Sequence, residues 1–222
     1  MKTDSERLTG WRGSADLWID AAYTMLLEAG VDQLKVQPLA EKLGLSRTSF
    51  YGHFDNRQSL LDALLARWKS KNTKNLVAKT ESYAESITEA LFNVFDCWLD
   101  QNLFDTRFDL AIRSWALGDP DLRTVVEESD KTRIDAIAAM FGRYDFAPDQ
   151  ARVRAYAVYY TQIGYIATMV AEDVELRIQR MPIYIETFSG IAPTQPEVAR
   201  FSARHGFEVE FLPADENSST RM

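Results

Sequence analysis

The sequence is poor in the residues that mark several common classes of protein. Cys97 is the only cysteine among 222 residues, so no internal disulfide can form and a reducing compartment is expected. The two histidines, His53 and His205, form no cluster with metal-ligand spacing, and no glycine-rich phosphate loop is present. We therefore expect neither a metal nor another cofactor.

Glycine, proline and long hydrophobic runs are also scarce. Ten glycines, seven prolines and little alternation of polar and apolar residues favour a mostly helical chain. The most apolar stretch, YAVYYTQIGYIATMVA, is shorter than a bilayer span and contains Thr161 and Gln162. The first residues have no apolar core typical of a secretory signal. These features predict a cytoplasmic protein with no membrane partner.

The charge is divided unevenly along the chain. Residues 1–79 contain 12 lysines and arginines against 9 acidic residues, whereas residues 80–222 contain 13 against 24. The total of −8 therefore conceals a basic first part and a strongly acidic second part. Because nucleic acid is bound by a local basic patch, the division suggests two roles in one chain.

Hydrophobic spacing of the helical type predicts four helices in the first part, over about residues 14–29, 36–43, 47–53 and 57–79. Gly30 and Gly44 are placed to end the first two, and Ser46 and Asn56 to cap the next two. Helical spacing continues to residue 190, with a break or kink expected at Pro182. A short helix around residues 197–204 and an irregular tail follow.

The stretch LAEKLGLSRTSFYGHF places two short helices on either side of a tight turn that contains Gly44. With the helix before them, this is the helix-turn-helix arrangement, whose second helix presents side chains to the major groove. Arg47 can bind guanine with two hydrogen bonds, and Thr48 offers a methyl and a hydroxyl group. Gly52 permits close approach to the DNA backbone. Donors suited to phosphates are Ser49, Tyr51, His53 and Arg57.

The longer stretch LAEKLGLSRTSFYGHFDNRQSLLDALL resembles the signature of TetR-type transcriptional regulators. Parts of the second half, such as FDLAIRSWAL and YYTQIGYIA, resemble one branch of that family. The resemblance implies an all-α fold in which a three-helix DNA-binding head is joined by a long fourth helix to a larger ligand-binding and dimerisation domain. The corresponding ranges are 1–56, 57–190 with the connecting helix starting at residue 57, and a C-terminal extension, 191–222.

The resemblance also assigns roles at the DNA. It implies that Gln37 faces the bases together with Arg47, Thr48 and Gly52, and that the four phosphate donors above keep that role. Arg7 and Arg12 could reach a groove or a phosphate, although solvated terminal charges are the favoured interpretation.

Aromatic residues recur at helical spacing in the second half, which mostly indicates core but is also how a small-molecule cavity is lined. The resemblance implies an effector pocket, and its candidate residues are Phe95, Trp98, Phe104, Phe108, Trp115, Tyr156 and Tyr159. Four aspartates, Asp96, Asp100, Asp105 and Asp109, hint at a cationic or polar ligand, although acidic solvated faces are commoner.

A stripe of small and apolar residues could serve a dimer. Family members dimerise through their last two helices, which implies an interface at Tyr160, Ile163, Gly164, Ala167 and Val170. A monomer would instead bury this stripe internally.

The expected function is a dimeric repressor that a small-molecule effector releases from a palindromic DNA operator. One alternative is a helical adaptor that binds only proteins, which would leave the polar face of Arg47, Thr48 and Tyr51 unexplained. The other is an all-helical enzyme that uses the aromatic cavity, for which the sequence offers no catalytic cluster.

Overall fold

The computed structural model describes residues 13–207, and every regular element in that range is helical. This confirms the all-α prediction. Arg7, Arg12 and the end of the C-terminal extension lie outside the described residues. No helix in this range combines the length and apolar character needed to cross a membrane. The α-helices are α1 (Ala15–Ala29), α2 (Val36–Leu43), α3 (Arg47–Tyr51), α4 (Arg57–Trp68), α5 (Asn75–Glu81), α6 (Ile87–Leu99), α7 (Thr106–Ala116), α8 (Pro120–Gly142), α9 (Pro148–Ala167), α10 (Val174–Ser189) and α11 (Gln195–Arg204).

The caps that the sequence predicts are formed. The Ser46 hydroxyl accepts the backbone N–H of Ser49 at 3.2 Å and starts α3. Asn56 accepts the N–H of Ser59 at 3.0 Å, while the Ser59 hydroxyl oxygen accepts the N–H of Asn56 at 3.2 Å, so α4 begins with a reciprocal pair. Gly44 adopts a left-handed conformation with φ of 63°, which ends α2. Helix α3 ends at Tyr51, two residues earlier than predicted.

The long fourth helix is present but contains a wider turn. Between α4 and α5 the chain is π-helical over Lys69–Lys74, and the helical run extends to Glu81. This turn buries Asn72, whose amide donates to the Asp105 carbonyl and accepts the Asp105 N–H, both at 3.0 Å. A polar side chain that needs buried partners thus sets the local winding, which hydrophobic spacing does not reveal.

Of the break or kink predicted at Pro182, the break does not occur, and the kink stays a prediction. Helix α10 continues from Val174 to Ser189 with Pro182 inside it. Proline removes one backbone hydrogen bond, but Ile178, Met181 and Ile185 form a buried stripe around it. Their packing stabilises the helix at the position where Pro182 removes a backbone hydrogen bond.

The described chain forms two compact units. The first contains residues 13–77 and Asp100–Arg133, and the second contains Ala78–Leu99 and residues 134–207. In the first unit, one hydrophobic core includes Trp18 of α1, Phe50 of α3, Leu64 of α4 and Phe108 of α7. Helix α7 and the start of α8 therefore share a core with the three-helix head. The division of roles at residue 57 stays a prediction.

In the second unit, α6 packs against α10 and α11. The rings of Phe92 in α6 and Phe201 in α11 stack at 4.5 Å. Below them the Glu197 carboxylate accepts a hydrogen bond from the Thr88 hydroxyl at 2.9 Å and another from Ser86. The start of the predicted C-terminal extension is thus a packed helix in this unit.

Candidate functional site

Local chemistry fixes the geometry of the helix-turn-helix. Leu45, just after Gly44, donates its N–H back to the Ala40 carbonyl at 2.9 Å and closes the turn. The edge of the Trp18 ring meets the Phe50 ring at 5.3 Å, which holds α3 across α1. Such edge-to-face pairs contribute about 1 kcal/mol beyond the burial of their surface. Helix α3 is therefore rigidly mounted although it is only 5 residues long.

The packing of α3 against α1 leaves one polar face of α3 exposed to solvent. Arg47, Thr48, Gly52 and His53 are exposed, and Tyr51 is 51% exposed. These are five of the eight residues that the sequence predicts for DNA, and they lie together on α3 and just after it. Together they offer a guanidinium fork, two hydroxyl groups and an imidazole, which suit base edges and phosphates.

Gln37 on α2 is also exposed, and its amide donates to Glu41 at 2.7 Å. Gly52 has φ of −77°, so no left-handed conformation requires glycine there. A Cβ atom at Gly52 would lie 3.3 Å from the Ser49 carbonyl oxygen, so tight packing against the preceding turn disfavours a larger residue.

Two of the residues predicted to contact phosphates are placed differently: Ser49 is buried, and Arg57 donates to backbone carbonyls. Ser49 is only 7% exposed, so the structure gives its proposed phosphate contact no support. Arg57 donates to the carbonyls of Val31, at 2.8 Å, and Leu34. It thereby ties the 3-10 turn Val31–Gln33 to the start of α4. The sequence alone does not reveal this, because both partners are backbone atoms more than 20 residues away.

A buried charged cluster holds the connecting helix within the first unit. We call Trp68, Asn72, Asp109, Arg113 and Arg133 the Asp109 cluster. The Asp109 carboxylate accepts from the Trp68 indole at 2.9 Å, from Arg113 at 2.7 Å and from Arg133 at 3.1 Å. The Arg133 guanidinium also lies 5.0 Å from the centre of the Trp68 ring.

Both Asp109 and Arg133 are fully buried. Burial acts to raise the pKa of the Asp109 carboxyl, but the positive charges of Arg133 and Arg113 outweigh it and hold that pKa below its usual value. The charged form of Asp109 is therefore favoured. The cluster fixes the end of α4 and the π-helical turn against α7 and α8.

A cavity lies in the second unit, between α6, α9 and α10. Its space of about 250 Å³ includes open solvent, and the enclosed part holds no more than about one water molecule; the lining includes Phe95, Val158, Gln162, Arg177 and Met181. Of the seven aromatic residues predicted for a pocket, only Phe95 lines this cavity.

The other six predicted residues lie elsewhere. Phe104 and Phe108 are buried in the first unit, and the Trp115 indole donates to Asp119 there at 3.2 Å. Trp98 and Tyr159 are buried in the second unit without lining the cavity, while Tyr156 is 41% exposed. Regular spacing of aromatic residues identifies buried positions but does not distinguish packed core from the wall of a cavity.

None of the four aspartates that hinted at a cationic ligand lines this cavity. Asp105 caps α7 and Asp109 belongs to the cluster above. Asp96 accepts from Lys79 at 3.3 Å and contacts His205 at 3.0 Å. Asp100 accepts a backbone N–H at 2.8 Å. The hint of a cationic ligand therefore gains no support.

The predicted dimer stripe lies largely in solvent. Tyr160, Gly164, Ala167 and Val170 are exposed, and Ile163 is half-buried. On the neighbouring helix α10, Ile183 is 68% exposed. The monomer alternative requires this stripe to be packed internally. In the described part of the chain it is instead largely exposed.

Sequence reasoning missed the charged side chains in the cavity and in the Asp109 cluster. Arg177 was identifiable in principle, because it shares the helical stripe of Met181, Tyr184 and Phe188, where an apolar residue is expected. Arg133 gives no such signal. Among residues 13–207, no group of three or more His, Cys, Asp or Glu side chains is placed to hold a metal ion.

The family model for bacterial regulatory proteins of the tetR family matches residues 19–64, which include the whole helix-turn-helix. The chain is 40% identical over 63 residues to the class A tetracycline repressor protein of transposon 1721 from Escherichia coli. That match covers 28% of this chain and 29% of the repressor, so the chain spans less than a third of the length of this relative.

Solved structures share the fold over a larger part. A TetR-family transcriptional regulator from Rhodococcus sp. matches with a TM-score of 0.58 at 18% identity, covering 79% of this chain and 98% of its own. The multidrug binding protein EbrR, solved with imidazole, matches with a TM-score of 0.50 at 21% identity, covering 81% and 89%. These proteins are regulators or binding proteins rather than enzymes, in agreement with the prediction that this chain is not an enzyme. Residues 19–64, which contain the helix-turn-helix, thus match the TetR family of bacterial regulatory proteins, and the chain shares the helical fold of a solved regulator of that family.

Proposed function

We propose that the protein is a dimeric transcriptional repressor that binds a palindromic DNA operator and leaves it when a small molecule binds. The observation that carries the proposal is the exposed polar face of Arg47, Thr48 and Tyr51 on α3, with His53 just after the helix, which packs on α1 through Phe50 and Trp18. A guanidinium, two hydroxyl groups and an imidazole are groups that bind base edges and phosphates in a major groove. A regulator acting on a chromosome would work in the cytoplasm.

The exposed apolar stripe on α9 supports the dimer. Contiguous apolar surface is rare on monomeric proteins and marks association sites. Two copies related by a two-fold axis would place two α3 helices in successive major grooves, about 34–36 Å apart. We therefore propose that Tyr160, Gly164 and Ala167 of α9, with Ile183 of α10, form the seam.

The proposed response to an effector uses the connecting helix. It begins at the DNA-binding head and continues through the π-helical turn into α5, whose last residues belong to the second unit. An effector that shifts this helix would change the separation of the two heads. Allosteric couplings of about 1–3 kcal/mol, roughly 5–150-fold in affinity, suffice to release DNA.

The test measures binding to an operator fragment by fluorescence anisotropy at moderate salt. Arg47→Ala should weaken binding by about tenfold or more per half-site, because a bidentate contact to guanine is lost. Tyr51→Phe should weaken it by less and equally for all sequences, because a phosphate contact carries no base information. Arg123→Ala on α8, an exposed arginine outside the helix-turn-helix, removes the same charge and should have little effect. Binding that survives both head variants unchanged would contradict the proposal.

A further inference from the structure

Four of the nine residues that line the cavity of the second unit are aromatic: Phe95, Tyr165, Tyr184 and Phe188. The Phe188 ring stacks on Phe95 at 6.0 Å and on Tyr184 at 5.9 Å, each with an interplanar angle of 16°. Val158 and Met181 complete the apolar part of the lining. Such near-parallel rings suit a flat apolar group, which can stack on them with little loss of contact.

Arg177 supplies the only full charge among the residues that line this cavity. Its Nη2 donates to Gln162 Oε1 at 2.7 Å, and its guanidinium carbon lies 5.2 Å from the centre of the Tyr165 ring. A guanidinium has five N–H groups. Within the described residues no carboxylate lies at ion-pair distance from Arg177, so its planar fork keeps donors for a ligand.

Neighbouring groups do not neutralise this charge. Among the described residues, Glu172 is the one carboxylate that favours the charged form of Arg177; its Oε1 is paired with Arg180, and its Oε2 is buried without a hydrogen-bond partner. The hydroxyl groups of Tyr165 and Tyr184 hydrogen-bond to each other at 2.7 Å. Burial lowers the pKa of the Arg177 guanidinium, against the opposite effects of Tyr165, Glu172 and Tyr184. The cation is therefore placed where a bound anion would stabilise it.

We propose that this cavity binds a small carboxylic acid with a flat apolar body, whose carboxylate pairs with Arg177 while its body lies against Phe95, Phe188 and Tyr184. A singly charged planar carboxylate matches one guanidinium fork, and the Thr161 hydroxyl on the cavity wall can add a hydrogen bond. A phosphate dianion would need a second cation, which the lining lacks. The inference rests on the proposed function, since it gives the chemical class of the effector.

The test compares three carboxylates with their neutral amides by isothermal titration calorimetry on the full chain without DNA. The probes are benzoate, 2-naphthoate and 4-phenylbutyrate, each beside the amide of the same shape. At least one carboxylate should bind about tenfold or more tightly than its amide, because a charge-assisted pair forms only with the acid. Arg177→Met should reduce that carboxylate to the affinity of its amide. Arg152→Met, which removes a half-exposed arginine of α9 that is paired with Asp135 outside the cavity, should leave the preference unchanged.

The wild-type preference for acid over amide does not depend on any variant, so a variant that fails to fold leaves the test intact. Equal affinity for acid and amide, no binding by any carboxylate up to millimolar concentration, or a preference that survives Arg177→Met would overturn the inference. Operator binding is measured separately. A chain that binds its operator but no carboxylate refutes only the ligand class, whereas one that binds carboxylate but no DNA refutes the regulator.

Discussion

Replacing Asp109 by alanine should destabilise the protein strongly, because it removes the anion around which the Asp109 cluster is built. Asp109 and Arg133 are both inaccessible to solvent, and their charged atoms lie 3.1 Å apart. In the variant, the Arg133 guanidinium stays buried with its main counter-ion gone. The Trp68 indole also loses its hydrogen-bond acceptor.

The size of the effect follows from the partners that remain. Breaking a buried pair by removing one member costs about 3–5 kcal/mol. Asp130 lies 3.9 Å from Arg133 and 2.6 Å from Arg113, so it compensates part of the loss. We therefore expect a loss of about 3 kcal/mol, which is a large part of the ~5–15 kcal/mol by which domains are stable.

The assay is urea unfolding at pH 7, followed by far-UV circular dichroism and tryptophan fluorescence. Asp135→Ala is the control, because it breaks a half-exposed pair with Arg152 that should contribute only about 0–1 kcal/mol. The double variant Asp109→Leu/Arg133→Met removes both charges and should recover much of the loss, since apolar packing can replace a buried pair. A loss below about 1 kcal/mol for Asp109→Ala, or a double variant less stable than the single one, would refute the reasoning.

Three further perturbations have defined outcomes. Asn56→Ala removes the acceptor at the start of α4 and should lower the free energy of unfolding by about 1 kcal/mol in urea, whereas no change would contradict the assigned cap. Gly44→Ala should lower it by about 1–2 kcal/mol, because its φ of 63° is unfavourable for a residue with a Cβ atom; unchanged stability would show that the turn adapts. Burial acts to raise the pKa of Asp96, but His205, Arg204 and Lys79 outweigh it and the pKa is lowered. Stability from Asp96 should thus be fully present above pH ~4 and decline as the pH falls through its folded pKa, and Asp96→Asn should flatten that part of the curve; an unaltered slope would contradict this.

Features governed by local chemistry could be predicted from the sequence. Ser46, Asn56 and Gly44 act within their own turn, so their residue type and place in the pattern suffice to assign the cap or the bend. The exposed face of α3 follows in the same way, because two anchors, Phe50 and Phe54, fix which side of so short a helix is buried.

Features governed by distant partners could not be predicted. Arg57 binds carbonyls of another turn, and Ser49 is buried although its neighbours at Arg47, Thr48 and Tyr51 are exposed. The cavity depends on where α6, α9 and α10 leave space, and helical spacing carries no information on that. Its charge comes from Arg177, which the sequence places on the stripe of Met181, Tyr184 and Phe188 but does not assign to a cavity.

The most direct test of the central claim is selection of bound fragments from sheared genomic DNA by the purified protein, repeated at two salt concentrations. The account predicts enrichment of one palindromic site that persists at the higher salt, since base contacts add to the salt-sensitive phosphate contacts. Recovery of only sequence-independent fragments that are lost at higher salt, or of none, would contradict it. A helical adaptor that binds proteins would then be the better account of the exposed face of α3.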